Sequence, residues 1–262
     1  MIWDLHCHLS QALRGDTIPE KAAHLIEVGD RHGIERFCLF MGLGWSKDPT
    51  PDDLSKQNND VLEAVAAHPG RLFGFVYLNP NHVQKSLDEL ERCVADGPMT
   101  GVKLWVARKC SDPQIDPIIQ RAAELKAVIF QHTWLKTSGN DPGESTPEDV
   151  ALLAARFPEA PLICGHTGGN WERGIAAVRD SPNVSLGFGG FDPTAGATEM
   201  AVREMGAGRV LYGSDAPGRS YASQLAKILG ANISQQEKDL ILGHNLKKMM
   251  TPILEAKGLP VK

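Results

Sequence analysis

No run in this 262-residue chain is apolar for long enough to cross a bilayer, which takes about 20 residues, so no membrane partner is expected. No basic block is present either: 27 Lys and Arg stand against 32 Asp and Glu, a net charge of -5. A nucleic-acid partner is therefore not expected, because phosphate binding draws on a cationic stripe. Cysteine is scarce and unpaired in pattern. The five residues Cys7, Cys38, Cys93, Cys110 and Cys164 are odd in number and include no close pair. That excludes a disulfide framework and suits buried thiols in a reducing cytoplasm. The opening MIWDLHCHLS lacks the positive region and apolar core of a secretory signal, which again points to a cytoplasmic location. Linkers, low-complexity tracts and repeats are missing too, so one domain over residues 1–262 is expected. What remains, 42% hydrophobic and 23% charged, is ordinary globular composition.

Short continuous apolar runs recur along the whole chain. Strands are expected at Met1–Leu5, Ile34–Met41, Arg71–Leu78, Gly101–Trp105, Ala127–Gln131, Pro161–Gly165, Asn183–Gly187 and Arg209–Gly213. Runs such as FCLF and LIC do not alternate, the mark of strands covered on both faces in a parallel sheet. Between them lie stretches of helical spacing, including Pro19–Arg31, Asp52–Ala67 and Gln84–Ala95. Thr146 before Pro147 reads as an N-cap, and Ser234 to Glu237 fits a capping box. Eight strand–helix units over 262 residues, about 33 each, predict an α/β (β/α)8 barrel. A doubly wound open sheet is the rival. Its glycine-rich phosphate loop is absent from the first turn, LHCHLSQALRGD.

Histidines and one aspartate fall at the ends of these strands. His6 and His8 end the first, His132 follows the fifth, His166 the sixth and Asp215 the eighth. Period-two alternation puts His6 and His8 on one side and Cys7 on the other. A lone strand-end histidine is commonly a satisfied polar residue, and Asp215 alone could cap the helix after it. Together, at the C-terminal mouth of a barrel, they point to catalysis. Imidazole and carboxylate are ligands for a divalent ion such as Zn²⁺, which lowers the pKa of a bound water to about 7. Asp215 suits the role of proton acceptor.

As an ordered set, His6-x-His8, His132, His166 and Asp215 resemble the amidohydrolase superfamily of metal-dependent hydrolases. GVKL, CGHTGG and LYGSDAP look most like its branch of aminocarboxymuconate-semialdehyde decarboxylase, resorcylate decarboxylases and lactonases. Ile241-Leu242-Gly243-His244-Asn245 is similar to the opening of that branch's final helix. The resemblance implies a barrel with one zinc, or another divalent transition metal, held by His6, His8, His132 and Asp215. It implies that His166 polarises the substrate or shuttles protons. The chain is compact beside other members, and Trp105 stands where their fourth strand often carries histidine. In other branches a lysine at the place of Lys103 is carboxylated and bridges two metals; in this one its ammonium is expected to pair with a carboxylate or a substrate acid.

Trp45, Trp105, Trp134 and Trp171 fall at or just beyond strand ends, where they suit a flat pocket for an unsaturated or aromatic ring or else pack the loops together. Arg14, Arg108 and Arg219 lie in loops after strands, where a guanidinium can grip a carboxylate or remain a solvated charge. The expected substrate is a small molecule with a carboxylate, bound by Lys103, Trp105, Trp134, Arg14 and Arg219; a homo-oligomer is left open. The leading expectation is a zinc-dependent hydrolase of a carboxylated ester, lactone or amide, with Asp215 and His166 catalytic. The first alternative is a non-oxidative decarboxylase using the same site. A second is a barrel that binds metal without turnover.

Overall fold

The computed structural model describes residues 1–260. Among them, eight parallel strands run in sequence order around one sheet: β1 (Trp3–His8), β2 (Arg36–Phe40), β3 (Leu72–Leu78), β4 (Gly101–Leu104), β5 (Val128–Gln131), β6 (Leu162–Cys164), β7 (Val184–Gly187) and β8 (Val210–Leu211). The sheet closes on itself where Leu5 N donates to Tyr212 O and His8 N to Ala216 O. The fold is the (β/α)8 barrel that the alternation predicts. No helix among the described residues is long and apolar enough to cross a membrane.

Both faces of the strands are apolar because each meets a different layer. Along β3, Phe73, Phe75 and Tyr77 enter the barrel interior, while Leu72, Val76 and Leu78 pack under the helices. The helices α1 (Ile18–Asp30), α2 (Pro51–Ala67) and α3 (Pro147–Arg156) open on capping boxes at Thr17, Thr50 and Thr146, each followed by proline in the first turn. Such a cap contributes about 1 kcal/mol. The expected box at Ser234 and Glu237 opens α4 (Gln235–Asp239). The final helix α5 (Asn245–Ala256) places Leu246, Met250 and Leu254 in the inner cluster with Trp3. Helical spacing of four residues puts all three on one face, which caps the N-terminal end of the barrel.

Two strands depart from expectation. β1 starts later than Met1 and runs through both histidines. β8 is two residues long, although the chain beyond it stays bonded to β1. β1 also carries a bulge against β2. Asp4 faces Phe37 and Cys7 faces Leu39, so Leu5 and His6 together oppose Cys38. One extra residue in β1 shifts the alternation, as bulges do. Without it, Asp4 would share a face with His6 and His8.

Candidate active site

The bulge turns His6 inward beside Leu5 and leaves His8 inward as well. The His6 ring packs against Phe40 and Phe130 of the inner cluster. Its Nε2 lies 2.7 Å from Nε2 of His8. Asp215, just past β8, brings Oδ1 to 3.4 Å from both nitrogens. These three residues form the one group of potential metal ligands found among the described residues, their donor atoms all within 4.8 Å of one another.

Hydrogen bonds behind the rings fix which nitrogen is free. His8 Nδ1 lies 3.0 Å from Phe40 O, so it carries the hydrogen and leaves a lone pair on Nε2. His166 Nδ1 lies 2.9 Å from Gly189 O, with the same consequence for its own Nε2. Burial drives His6 well below the ordinary imidazole pKa and lowers His8, so both stay neutral at pH 7. Burial also pushes Asp215 up, but the neighbouring His8 ring and the fields of His166 and Lys103 outweigh it and hold the carboxyl at about 2. Two neutral imidazoles and one ionised carboxylate, with the second nitrogen of His8 tied to a carbonyl, are the donor set a divalent cation needs. The residues present fit a metal.

Strain marks the same spot. Met41, His166, Thr167 and Asp215 are non-glycine residues with φ between 48° and 60°, all just beyond strand ends. Each costs about 1–2 kcal/mol relative to ordinary backbone. His166 sits on this turn after β6, its ring 4.9 Å from that of His6 and 4.8 Å from that of His132. Burial lowers its pKa to about 3. Gly190 lies against the pair: a Cβ there would stand 2.7 Å from His166 Cε1 and 3.0 Å from Asp215 Oδ2.

His132 is not in the ligand group. Its Nε2 faces Glu144 Oε1 at 3.2 Å, and Glu144 is bound in turn by Lys136 Nζ at 2.7 Å. Glu144 is buried on the loop after β5, and nothing in the sequence pattern singled it out. Lys103 forms the floor of the site, where the expected pairing with a carboxylate is not seen among the described residues. Its Nζ lies 4.2 Å from the Phe130 ring centre and 5.0 Å from that of Phe40. Burial there lowers its pKa to about 7.

Three of the four mouth tryptophans surround the histidines. Trp45, 46% exposed, lies over His8; Trp105 stands edge-on to Trp45 and His132; Trp134 stacks on His132 and meets His166 edge-on. Trp171 lines a cavity of about 520 Å³ on the far side of Trp134, together with Phe191, Thr194 and Arg219. Arg219 Nε donates to Gly190 O at 2.8 Å, which points this arginine at the boundary between cavity and histidines. The other two arginines are not brought to the site. Arg14, 69% exposed, pairs with Glu27 of α1 because the loop after β1 folds back on that helix. Arg108 is held by Asp112 and Asn81.

Comparison with known proteins gives the following likenesses. A sequence model of the amidohydrolase family matches residues 3–249. A 2-amino-3-carboxymuconate-6-semialdehyde decarboxylase of Dictyostelium discoideum is 24% identical over 243 residues, covering 77% of this chain and 67% of the relative. A 2,6-dihydroxybenzoate decarboxylase structure from Rhizobium superposes with TM-score 0.75 at 16% identity, over 96% of this chain and 98% of the other. A dihydroxybenzoic acid decarboxylase from Polaromonas, solved with manganese and 2-nitroresorcinol, gives 0.71 at 18% identity over 97% of each chain.

Proposed function

The chain belongs to the amidohydrolase family, and from that premise we propose that it is a metal-dependent, non-oxidative decarboxylase of an unsaturated or aromatic carboxylic acid. The observation that carries the proposal is the convergence of His6, His8 and Asp215 under a mouth walled by Trp45, Trp105 and Trp134. Decarboxylation is favoured over the hydrolysis expected first because the curated relative and both structures named above are decarboxylases.

His6, His8 and Asp215 would hold one zinc, or manganese as in the Polaromonas structure, and the ion would supply Lewis-acid polarisation of a substrate oxygen; His132, expected as a fourth ligand, would have to leave Glu144 to join them. The tryptophans orient a planar acid with its carboxylate toward the histidines. Lys103 beneath and Arg219 at the rim supply positive charge to the acid group. His166 keeps its Nδ1 hydrogen on Gly189 O, so Nε2 accepts a hydrogen bond from a substrate hydroxyl. The bond from ring or vinyl carbon to carboxyl carbon breaks, carbon dioxide leaves, and the electron pair stays on the substrate carbon. A proton from solvent, relayed through Asp215, then bonds to that carbon and leaves Asp215 ionised again.

The test is a panel of hydroxybenzoic and muconate-type acids incubated with metal-replete protein. The expected result is carbon dioxide plus the acid shortened by one carboxyl group. Turnover of esters, lactones or amides, with no carbon dioxide from any acid, would overturn the proposal in favour of hydrolysis.

A further inference from the structure

One carboxylate collects a backbone N–H group from each side of the seam between β1 and the chain after β8. Asp4 Oδ1 accepts from His6 N at 2.9 Å and from Ser214 N at 2.8 Å. Its Oδ2 accepts from Ser214 Oγ at 2.5 Å. That same hydroxyl accepts from Ala216 N at 3.0 Å and lies 3.2 Å from His6 O. Both residues are wholly buried. Asp4 sits between Trp3 and Leu5, which face the barrel interior, so its carboxylate lies in the outer layer and does not enter the ligand group.

We propose that Asp4 and Ser214 are positioning residues that latch β1 to the chain after β8 and so set the spacing of His6 and Asp215. Of the two N–H groups that Asp4 holds, one belongs to His6 itself and the other to the residue immediately before Asp215. The backbone bond from Asp215 N to His6 O, 2.7 Å, lies between them. Backbone bonding across this seam is irregular, with Leu5 N on Tyr212 O, Asp215 N on His6 O and His8 N on Ala216 O, and the Asp4 carboxylate adds a fixed tie between His6 and the residue before Asp215. The left-handed φ of 60° at Asp215 must also be over-determined by its surroundings, and Ser214 with Ala216 N supplies bonds on both sides of it. The latch rests on the metal-site reading above.

Cobalt(II) serves as the probe, because its visible absorption reports ligand geometry independently of turnover. Wild type, Asp4→Asn, Ser214→Ala and Ser214→Thr are titrated with Co²⁺ against a competing chelator, and the apo proteins are melted in parallel. Outer partners of metal ligands are worth about 10–100-fold in affinity. Asp4→Asn and Ser214→Ala are expected to lose Co²⁺ affinity in that range and to change its spectrum. Ser214→Thr, which keeps the hydroxyl, should return both toward wild type. Lowered melting temperatures with unaltered affinity and spectrum would overturn the latch, leaving a merely structural role. Should Asp4→Asn fail to fold, the Ser214 pair decides alone. Wild type that takes up no cobalt would overturn the metal reading and the latch with it, a result distinct from variants that bind as wild type does.

Discussion

Gly190→Ala introduces no chemistry, yet it should disable the site. Gly190 has φ +89°, a conformation that costs an alanine about 1–2 kcal/mol. The added methyl would overlap His166 Nδ1, stand 2.7 Å from its Cε1 and press on Asp215 Oδ2 at 3.0 Å. The backbone cannot simply retreat, because Gly190 N is held by Gln224 Oε1 and Gly190 O by Arg219 Nε. The His166 ring must therefore move by about 1 Å, a misplacement worth roughly 10²-fold in rate. The conformational cost alone should lower the melting temperature by about 2–8 °C in a domain of this size. Gly196→Ala is the matched control: φ is +86°, and nothing lies within 4 Å of a new Cβ. Both variants should melt earlier, but only Gly190→Ala should lose turnover in a carbon dioxide release assay at equal metal loading. Equal turnover in the two would refute the steric reasoning.

His166→Ala should keep its metal by elemental analysis and lose about 10²–10⁴-fold in turnover, the usual worth of a positioned proton-handling group. Arg14→Ala should leave kcat/KM unchanged, since its guanidinium is spent on an exposed pair with Glu27. Glu89 behaves differently: burial raises its pKa, but bonds from Arg92, Asn58, Lys85 and Ser55 outweigh this and hold it at about 2 against an ordinary 4.5. A depressed folded-state pKa stabilises above pH 4.5 and loses that contribution, about 3 kcal/mol, as pH falls toward 2. Glu89→Gln should therefore be less stable than wild type at pH 7 by urea unfolding, with the gap closing by pH 2; a constant gap would contradict the assignment.

The barrel was legible because strands covered on both faces, as β3 is, leave continuous apolar runs, and eight of them alternate with helical stretches. His6, His8, His166 and Asp215 were legible for a related reason: polar residues that end apolar runs must sit at the strand mouths. The bulge was not. It depends on how β1 pairs with β2, and strict alternation instead places Asp4 beside the two histidines. Arg14 shows the weakness of reasoning from loop position, since the loop after β1 turns its side chain to Glu27. Glu144 lies in an irregular loop with no periodicity to betray that it is buried against His132. Trp105 and Trp134, in contrast, stand where their distance from strand ends suggested, because the strand fixes the first residues after it.

The most direct test of a metal-dependent decarboxylase is product analysis on one acid of the panel that turns over, run with metal-replete and chelator-stripped protein side by side. The account predicts release of carbon dioxide in equal amount to the decarboxylated product, abolished by stripping and restored by zinc or manganese. Consumption of substrate by net uptake of water, with no carbon dioxide, or turnover indifferent to metal removal, would contradict it.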